Sequence, residues 1–284
     1  MKELTTCLTF ISKEEIIMNF TNLLNQIYEE NGIETISQEV ICVKPIIELD
    51  TEEEKLLLEG DGQSNPNEYK QINSSTGLAV NYFKILESIG NIEELVFEDK
   101  VAIPLKSRGG RKANLDVSYK RDGKLFYVES KFLEPYYSNN EKNRESYFKP
   151  EKYPVPEKDK SVWYELFVEA QSYKYYNFSQ LCRHLLAIWR KHEHDSTSIV
   201  LQSITWLMPN TFIERMESDE DKKNFRDRRN KFEEEAKKCQ SYINSFLKTI
   251  GWKNMTFESL YYNDIIDDIS SSPKYTEFKK RYLL

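Results

Sequence analysis

The sequence predicts an α/β fold in which a mixed central sheet is flanked by helices. Three apolar segments, at residues 95–105, 115–119 and 125–133, follow one another with only polar connections between them. Strands joined in this way pair antiparallel. A pair of helical segments within 161–192 then precedes a further apolar strand at 198–207. Because a helical crossover makes the strands that it joins parallel, the sheet should contain both kinds of pairing.

The N-terminal part of the chain has the pattern of helices. Apolar residues at helical spacing predict a helix over 13–31, which Ser12 would cap and Gly32 would end. Residues 50–59 predict a second helix that is rich in glutamate.

A loop separates this part from the rest of the chain. Residues 60–67 combine glycine, asparagine and proline, which is typical of loops. We therefore expect residues 1–73 to form a helical, acidic extension packed on a main domain of residues 74–284.

The main domain begins with a predicted helix over 75–89, and Gly90 stands at its end. Asp122-Gly123 lies between two strands and is a strong signal for a β-hairpin. The remaining predicted elements are an irregular stretch at 134–160, a long charged helix at 218–249, a strand near 255–261 and a short C-terminal helix.

Composition indicates a cytoplasmic protein with no membrane partner. No apolar run approaches the roughly 20 residues that a membrane-spanning helix needs, and the N-terminus lacks the apolar core of a signal peptide. The cysteines are scattered without Cys-x-x-Cys spacing, so we expect reduced thiols. They are Cys7, Cys42, Cys182 and Cys239.

Charge is distributed unevenly along the chain. The net charge is −7, but residues 100–131 contain nine Lys or Arg and three Asp or Glu, whereas residues 1–99 contain six and twenty. Because salt screens distant charges, a local basic region can attract a polyanion even when the whole molecule is acidic. The alternative interpretation is that these basic residues only solvate the ends of strands.

Asp116, Glu129 and Lys131 are the candidate catalytic residues. Asp116 lies in one predicted strand, and Glu129 and Lys131 lie in the next, on one face because strand side chains alternate. Two carboxylates and an ammonium group at one place suit a divalent metal and a water nucleophile. The alternative is a set of surface ion pairs, since such patterns are common in a chain with 31% charged residues. Residues 98–100 contain a second acid-x-Lys pattern, but no acid-bearing strand precedes it.

The order helix, strand, strand, strand, helix, strand, with an acid in the second strand and Glu-x-Lys in the third, resembles the PD-(D/E)xK nuclease superfamily over residues 75–262. Four segments also resemble a group of bacterial restriction endonucleases within it. These are Ser74-Ser75-x-x-Leu78-x-x-Asn81-x-Phe83, Gly110-Arg111-x-x-Asn114-Leu115-Asp116, Glu129-Ser130-Lys131-Phe132-x-Glu134-Pro135-Tyr136, and residues 179–187 (SQLCRHLLA).

The resemblance implies a restriction-endonuclease-like core that uses Mg²⁺, for which Mn²⁺ can substitute. It implies that Asp116, Glu129 and the backbone carbonyl of Ser130 bind the metal, while Lys131 positions water and offsets negative charge. Leu115 replaces the proline of the superfamily name, a common departure. The sequence leaves open whether one metal or two are used.

Further residues are assigned supporting roles. Many members of the superfamily add an acid from the first helix, and the candidates for that position are Glu87 and Asn81. Gln180, Arg183 and His184 share one face of a helix, which is either functional or only a polar stripe. Arg108, Arg111, Lys112 and Arg183 are the candidate contacts to DNA phosphates.

The expected function is that of a metal-dependent DNA endonuclease acting in restriction or defence. The resemblance also implies DNA as the partner and a homodimer, because restriction enzymes often pair to cut both strands. Two alternatives stay open. One is a nuclease of the same fold that acts in structure-specific DNA repair or on RNA, and the other is a nucleic-acid-binding protein with a vestigial nuclease site.

Overall fold

The computed structural model describes residues 13–37, 40–58, 68–102, 112–137 and 143–284. The described helices are α1 (Lys13–Glu30), α2 (Thr51–Leu58), α3 (Ser75–Ser88), α4 (Glu134–Tyr137), α5 (Lys160–Ala170), α6 (Phe178–His192), α7 (Asn210–Glu214), α8 (Asp219–Thr249), α9 (Tyr262–Ile265) and α10 (Tyr275–Tyr282). The described strands are β1 (Thr35–Ser37), β2 (Ile41–Val43), β3 (Glu93–Ala102), β4 (Lys112–Arg121), β5 (Lys124–Lys131), β6 (Ile199–Thr205) and β7 (Met255–Tyr261).

The central sheet has the order β3-β4-β5-β6-β7. β3, β4 and β5 pair antiparallel, whereas β6 and β7 extend the sheet in parallel. The Asp122-Gly123 turn joins β4 to β5, and both of its residues have positive φ angles, 50° and 71°, as a tight hairpin requires. Helices α5 and α6 cross over from β5 to β6, and α8 crosses over from β6 to β7. The predicted mixed sheet flanked by helices is confirmed.

Each face of the sheet is covered by its own hydrophobic cluster. One cluster combines α1, α3 and α10 with sheet residues such as Val117, Val128 and Ile204. The other combines α5, α6 and α8 with residues such as Leu115 and Tyr127. The candidate site lies where α6 packs against β5, so both clusters help to hold its strands in place.

Strict alternation fails in the middle of β4. Leu115 and Val117 are two residues apart and should share a face, yet they belong to different clusters. The pairs Phe97↔Val117 and Asp99↔Leu115 place Glu98 of β3 opposite Asp116. Glu98 has a φ of 56°, which is uncommon for a residue other than glycine. The face of the sheet to which the β4 side chains point therefore switches next to Asp116.

Helix α1 packs against α7 and α8. Phe20 of α1 lies 5.5 Å from the ring of Phe212 and 4.9 Å from the ring of Phe225. The structure adds a short antiparallel hairpin of β1 and β2, for which the sequence has no clear turn signal. The boundary near residue 73 stays a prediction.

Within the described ranges, no helix combines the length and apolar character that crossing a bilayer requires. Cys42, Cys182 and Cys239 are free thiols, and Cys7 lies outside the described residues.

Candidate active site

Strand β5 presents Glu129 and Lys131 on the same face, as strand alternation requires. The Lys131 ammonium forms an ion pair with Oε1 of Glu129. Glu129 is only 2% exposed. A buried carboxylate is costly unless charged or polar groups surround it. The burial of Glu129 therefore excludes the interpretation of this contact as a surface ion pair.

Asp116 approaches the same place from the neighbouring strand β4. Its Oδ2 accepts a hydrogen bond of 2.6 Å from the backbone N–H of Ser130, the residue between Glu129 and Lys131. The hydroxyl of Ser130 lies on the opposite side of β5, 2.8 Å from the hydroxyl of Tyr262. The structure thus brings together the three residues that the sequence singled out, although they come from two strands.

Helix α6 contributes a fourth group, His184. Its Nε2 lies 2.8 Å from Oε2 of Glu129, and the imidazole is 3% exposed. Glu129 is therefore held from both sides, by Lys131 through one oxygen and by His184 through the other. His184 belongs to the polar helix face predicted from sequence, and it contacts a candidate catalytic group directly.

The two carboxylates are in different electrostatic states. Burial and the nearby charge of Glu129 raise the pKa of Asp116 well above its usual value. Burial also acts to raise the pKa of Glu129, but Lys131 and His184 outweigh it and lower that pKa to about 2. Burial alone would lower the pKa of Lys131, but Glu129 and Asp116 raise it instead. The surroundings therefore favour the charged forms of Lys131 and Glu129 and disfavour the charged form of Asp116.

The donor set fits a hard divalent cation. In the part of the chain that the structure describes, no group of three or more His, Cys, Asp or Glu side chains is placed to hold a metal. Mg²⁺ does not require one, because it usually takes one or two carboxylates and completes its shell with water and phosphate. Asp116 and Glu129 would supply two such oxygen ligands, and their mutual repulsion is what a bound dication would offset. A role for the Ser130 carbonyl stays a prediction.

A small cavity of about 40 Å³ opens beside Glu129 and Lys131, enough for a few water molecules. Gln180 of α6 lines it, and its side-chain oxygen accepts a 2.9 Å hydrogen bond from Nδ2 of Asn177. The cavity is lined by Glu129, Lys131, Glu134, Pro135, Tyr175, Tyr176, Asn177, Gln180, Leu181, Ser203, Thr205 and Phe232. Asp116 is outside this set, so the cavity begins on the Lys131 side of the cluster.

The two candidates from the first helix have other partners. Oδ1 of Asn81 accepts a 2.7 Å hydrogen bond from the N–H of Ile46, and its Nδ2 donates one of 2.7 Å to the hydroxyl of Tyr282. Glu87 forms an ion pair with Lys84 in the same helix. The Asn81 contacts tie α3 to neighbouring segments, whereas the Glu87 ion pair stays within α3. The structure does not bring either residue to the Asp116–Glu129–Lys131 cluster.

The predicted DNA contacts are only partly within the described residues. Lys112 is exposed at the start of β4. Arg183 projects from α6, and its Nη1 lies 3.4 Å from Oδ1 of Asn143. Arg108 and Arg111 lie outside the described residues.

Two acids at the site were not selected from the sequence. Glu98 accepts a hydrogen bond from Nδ2 of Asn114 and adds to the rise in the pKa of Asp116. Glu134 accepts a 2.9 Å hydrogen bond from the N–H of Phe132, lines the cavity and helps to raise the pKa of Lys131. Glu98 belongs to the acid-x-Lys pattern set aside above, and its nearness to Asp116 follows from strand register, which sequence alone does not specify.

Comparison with known proteins identifies the family to which the chain belongs. A family model described as Restriction Endonuclease associating with ARP matches residues 13–282. Neither the curated proteins nor the solved structures contain a match. The matched range includes the whole central sheet and all three candidate catalytic residues, so the resemblance to restriction endonucleases and the restriction-endonuclease-like fold are confirmed. With nearly its full length matched, the chain belongs to the family of restriction endonucleases associating with ARP.

Proposed function

We propose that this protein is a metal-dependent endonuclease that hydrolyses DNA phosphodiester bonds in restriction or defence. The observation that carries the proposal is the meeting of Asp116, Glu129 and Lys131, with Asp116 hydrogen-bonded to the backbone between the other two. Membership of a restriction endonuclease family supports DNA as the substrate.

Hydrolysis of a phosphodiester builds negative charge on the phosphoryl oxygens and the leaving oxygen, so catalysis depends on positioned positive charge. Lys131 supplies such a charge beside the cavity. Its raised pKa keeps the ammonium protonated, so we assign it to orienting water and stabilising the developing charge, and not to removing a proton. A Mg²⁺ or Mn²⁺ ion held by Asp116 and Glu129 would supply Lewis acidity.

The remaining residues of the site hold this arrangement. His184 orients the Glu129 carboxylate through its 2.8 Å contact with Oε2, and Lys131 pairs with Oε1, so the carboxylate has one fixed orientation. Gln180 lines the cavity, where its side chain is available to the substrate or to water.

We assign the DNA backbone to the basic residues near the site. Lys112, Arg183, Arg108 and Arg111 would contact phosphates, because positive side chains supply most of the affinity for a polyanion. We also propose that the protein is cytoplasmic and forms a homodimer, since one site cuts one strand. We further propose that it associates with ARP, which the description of the family names. Light scattering and co-purification test these two assemblies.

The decisive test is cleavage of supercoiled and linear DNA by purified protein with Mg²⁺ or Mn²⁺. We expect cleavage by the wild type, and a loss on the order of 10³-fold in Lys131→Ala, comparable to the loss of a key electrostatic group in other enzymes. Lys124→Ala is the matched control, because Lys124 is an exposed residue at the start of the same strand, and it should keep near-normal activity. Intact DNA with every wild-type preparation, or equal activity of the two variants, would falsify the proposal.

A substrate panel separates the related functions. Preference for branched DNA or RNA would move the activity to repair or RNA cleavage on the same fold. Salt-sensitive DNA binding without turnover, and unchanged in Asp116→Asn, would identify a binding protein with a vestigial site.

A further inference from the structure

The segment between α5 and α6, residues 171–177, borders the catalytic cavity, and we call it the site loop. Tyr175, Tyr176 and Asn177 of this loop line the cavity together with Glu129 and Lys131. A loop has no ladder or helix to occupy its backbone N–H groups, so its conformation depends on partners from elsewhere.

Glu235 of α8 provides those partners. Its carboxylate accepts hydrogen bonds from three consecutive backbone N–H groups of the site loop, at 3.0 Å from Lys174, 2.7 Å from Tyr175 and 2.8 Å from Tyr176. Three successive N–H groups that converge on one anion form a strong, geometrically specific contact. A single side chain about 60 residues away in sequence thus holds the backbone that forms one wall of the cavity.

The same side of α8 also holds the side chains of the loop. The ring of Phe232 lies 5.3 Å from the ring of Tyr176, and Lys231 and Lys238 lie over the rings of Tyr175 and Tyr173. Phe232 is itself a wall of the cavity.

The loop in turn fixes the start of α6. Asn177 caps this helix by accepting from the N–H of Gln180 and donates its amide hydrogen to the side chain of Gln180. Gln180 lines the cavity, and His184 lies one turn further along the same helix, in contact with Glu129. The loop therefore fixes the first turn of the helix that also carries His184.

We propose that Glu235 is a positioning residue, which holds the site loop as the wall against which the DNA strand binds. Glu235 is not among the residues that line the cavity, so it acts through the loop. The inference rests on the proposed nuclease function and deepens it: Glu235 governs the affinity for the strand more than the chemical step.

The test compares Glu235→Ala and Glu235→Gln with Glu234→Ala, a control at the neighbouring exposed position of the same helix. In Glu235→Ala we expect the KM for DNA to rise on the order of tenfold while kcat changes less than about threefold. Glu235→Gln keeps one carbonyl acceptor and should give an intermediate KM. Amide hydrogen exchange at residues 174–176 should accelerate at least about tenfold in Glu235→Ala and stay unchanged in the control.

The exchange measurement requires no DNA, so it separates the two proposals. Faster exchange in Glu235→Ala together with an inactive wild type would support the contact between Glu235 and the site loop but contradict the nuclease assignment. An active wild type with unchanged exchange or unchanged KM in Glu235→Ala would overturn the positioning role. The positioning role would also be overturned if both Glu235 variants showed a lower melting temperature and a lower kcat without faster amide exchange at residues 174–176.

Discussion

Helix α6 makes two buried histidine contacts with strand β5, and they differ in chemistry. His184 contacts Glu129, and His192, two turns later, lies 2.9 Å from the hydroxyl of Tyr127. Both histidines are buried, at 3% and 7% exposure, and both strand residues point to the same face of β5.

The Tyr127 contact is a closed chain of hydrogen bonds. Nδ1 of His192 lies 2.7 Å from Oδ2 of Asp195. Both ring nitrogens of His192 therefore have a hydrogen-bond partner. Burial raises the pKa of Tyr127, so the phenol stays neutral. This contact satisfies its own polar groups and stabilises the end of α6.

The Glu129 contact is open by comparison. It combines an ammonium, two carboxylates and a cavity for a ligand. A buried histidine on α6 therefore indicates a candidate site where it joins charged groups that can still take another partner.

The largest expected effect comes from breaking the open contact at its centre. Glu129→Gln removes the anion between Lys131 and His184. It should abolish DNA cleavage and lower the free energy of unfolding by about 3 kcal/mol, because it removes the main counter-charge of the partly buried Lys131 ammonium. Cleavage assays and urea unfolding check this. Retention of full cleavage would show that the metal and the nucleophile are held elsewhere.

A smaller effect should separate the two histidine contacts. His184→Ala should reduce cleavage by about 10- to 100-fold, the range seen when a group that orients a metal ligand is lost. Tyr127→Phe removes only the hydrogen bond to His192, and should cost about 1 kcal/mol of stability with cleavage unchanged. Equal losses of cleavage in the two variants would remove the distinction between an open and a closed contact.

The smallest effect concerns acid pH and the closed contact. The hydrogen bond from His192 lowers the pKa of Asp195. A carboxyl whose pKa is lowered on folding stabilises the protein above its unfolded pKa, about 3.9, and this contribution is lost as the pH falls through the lowered folded value. The stability difference between the wild type and Asp195→Asn should therefore shrink below about pH 4. A difference that stays constant from pH 6 to the acid limit would contradict the assignment.

Much of the sheet and of the site could be predicted from local patterns. Asp122-Gly123 predicts the hairpin, and alternation predicts that Glu129 and Lys131 share a face. Those two signals placed the acid-x-Lys strand beside the strand of Asp116, and the structure brings the three residues together.

Other residues could not be assigned in this way. Glu98 was set aside because no acid-bearing strand precedes it, yet strand register places it opposite Asp116. Asn81 lies in a segment that resembles the restriction endonucleases, but its side-chain amide forms hydrogen bonds with Ile46 and Tyr282. Glu235 carries no motif, and its contact with three N–H groups depends on how a loop meets a distant helix.

Local sequence patterns predict the helices and strands of the central sheet, the hairpin and the pair of residues on β5, because these depend on neighbours within a few positions along the chain. The distant groups that complete the site depend on the packing of the folded chain: His184 contacts Glu129, and Glu235 contacts the site loop. Such contacts join residues more than 50 positions apart, and they are set by the packing of α6 and α8 on one face of the sheet, which no local pattern encodes.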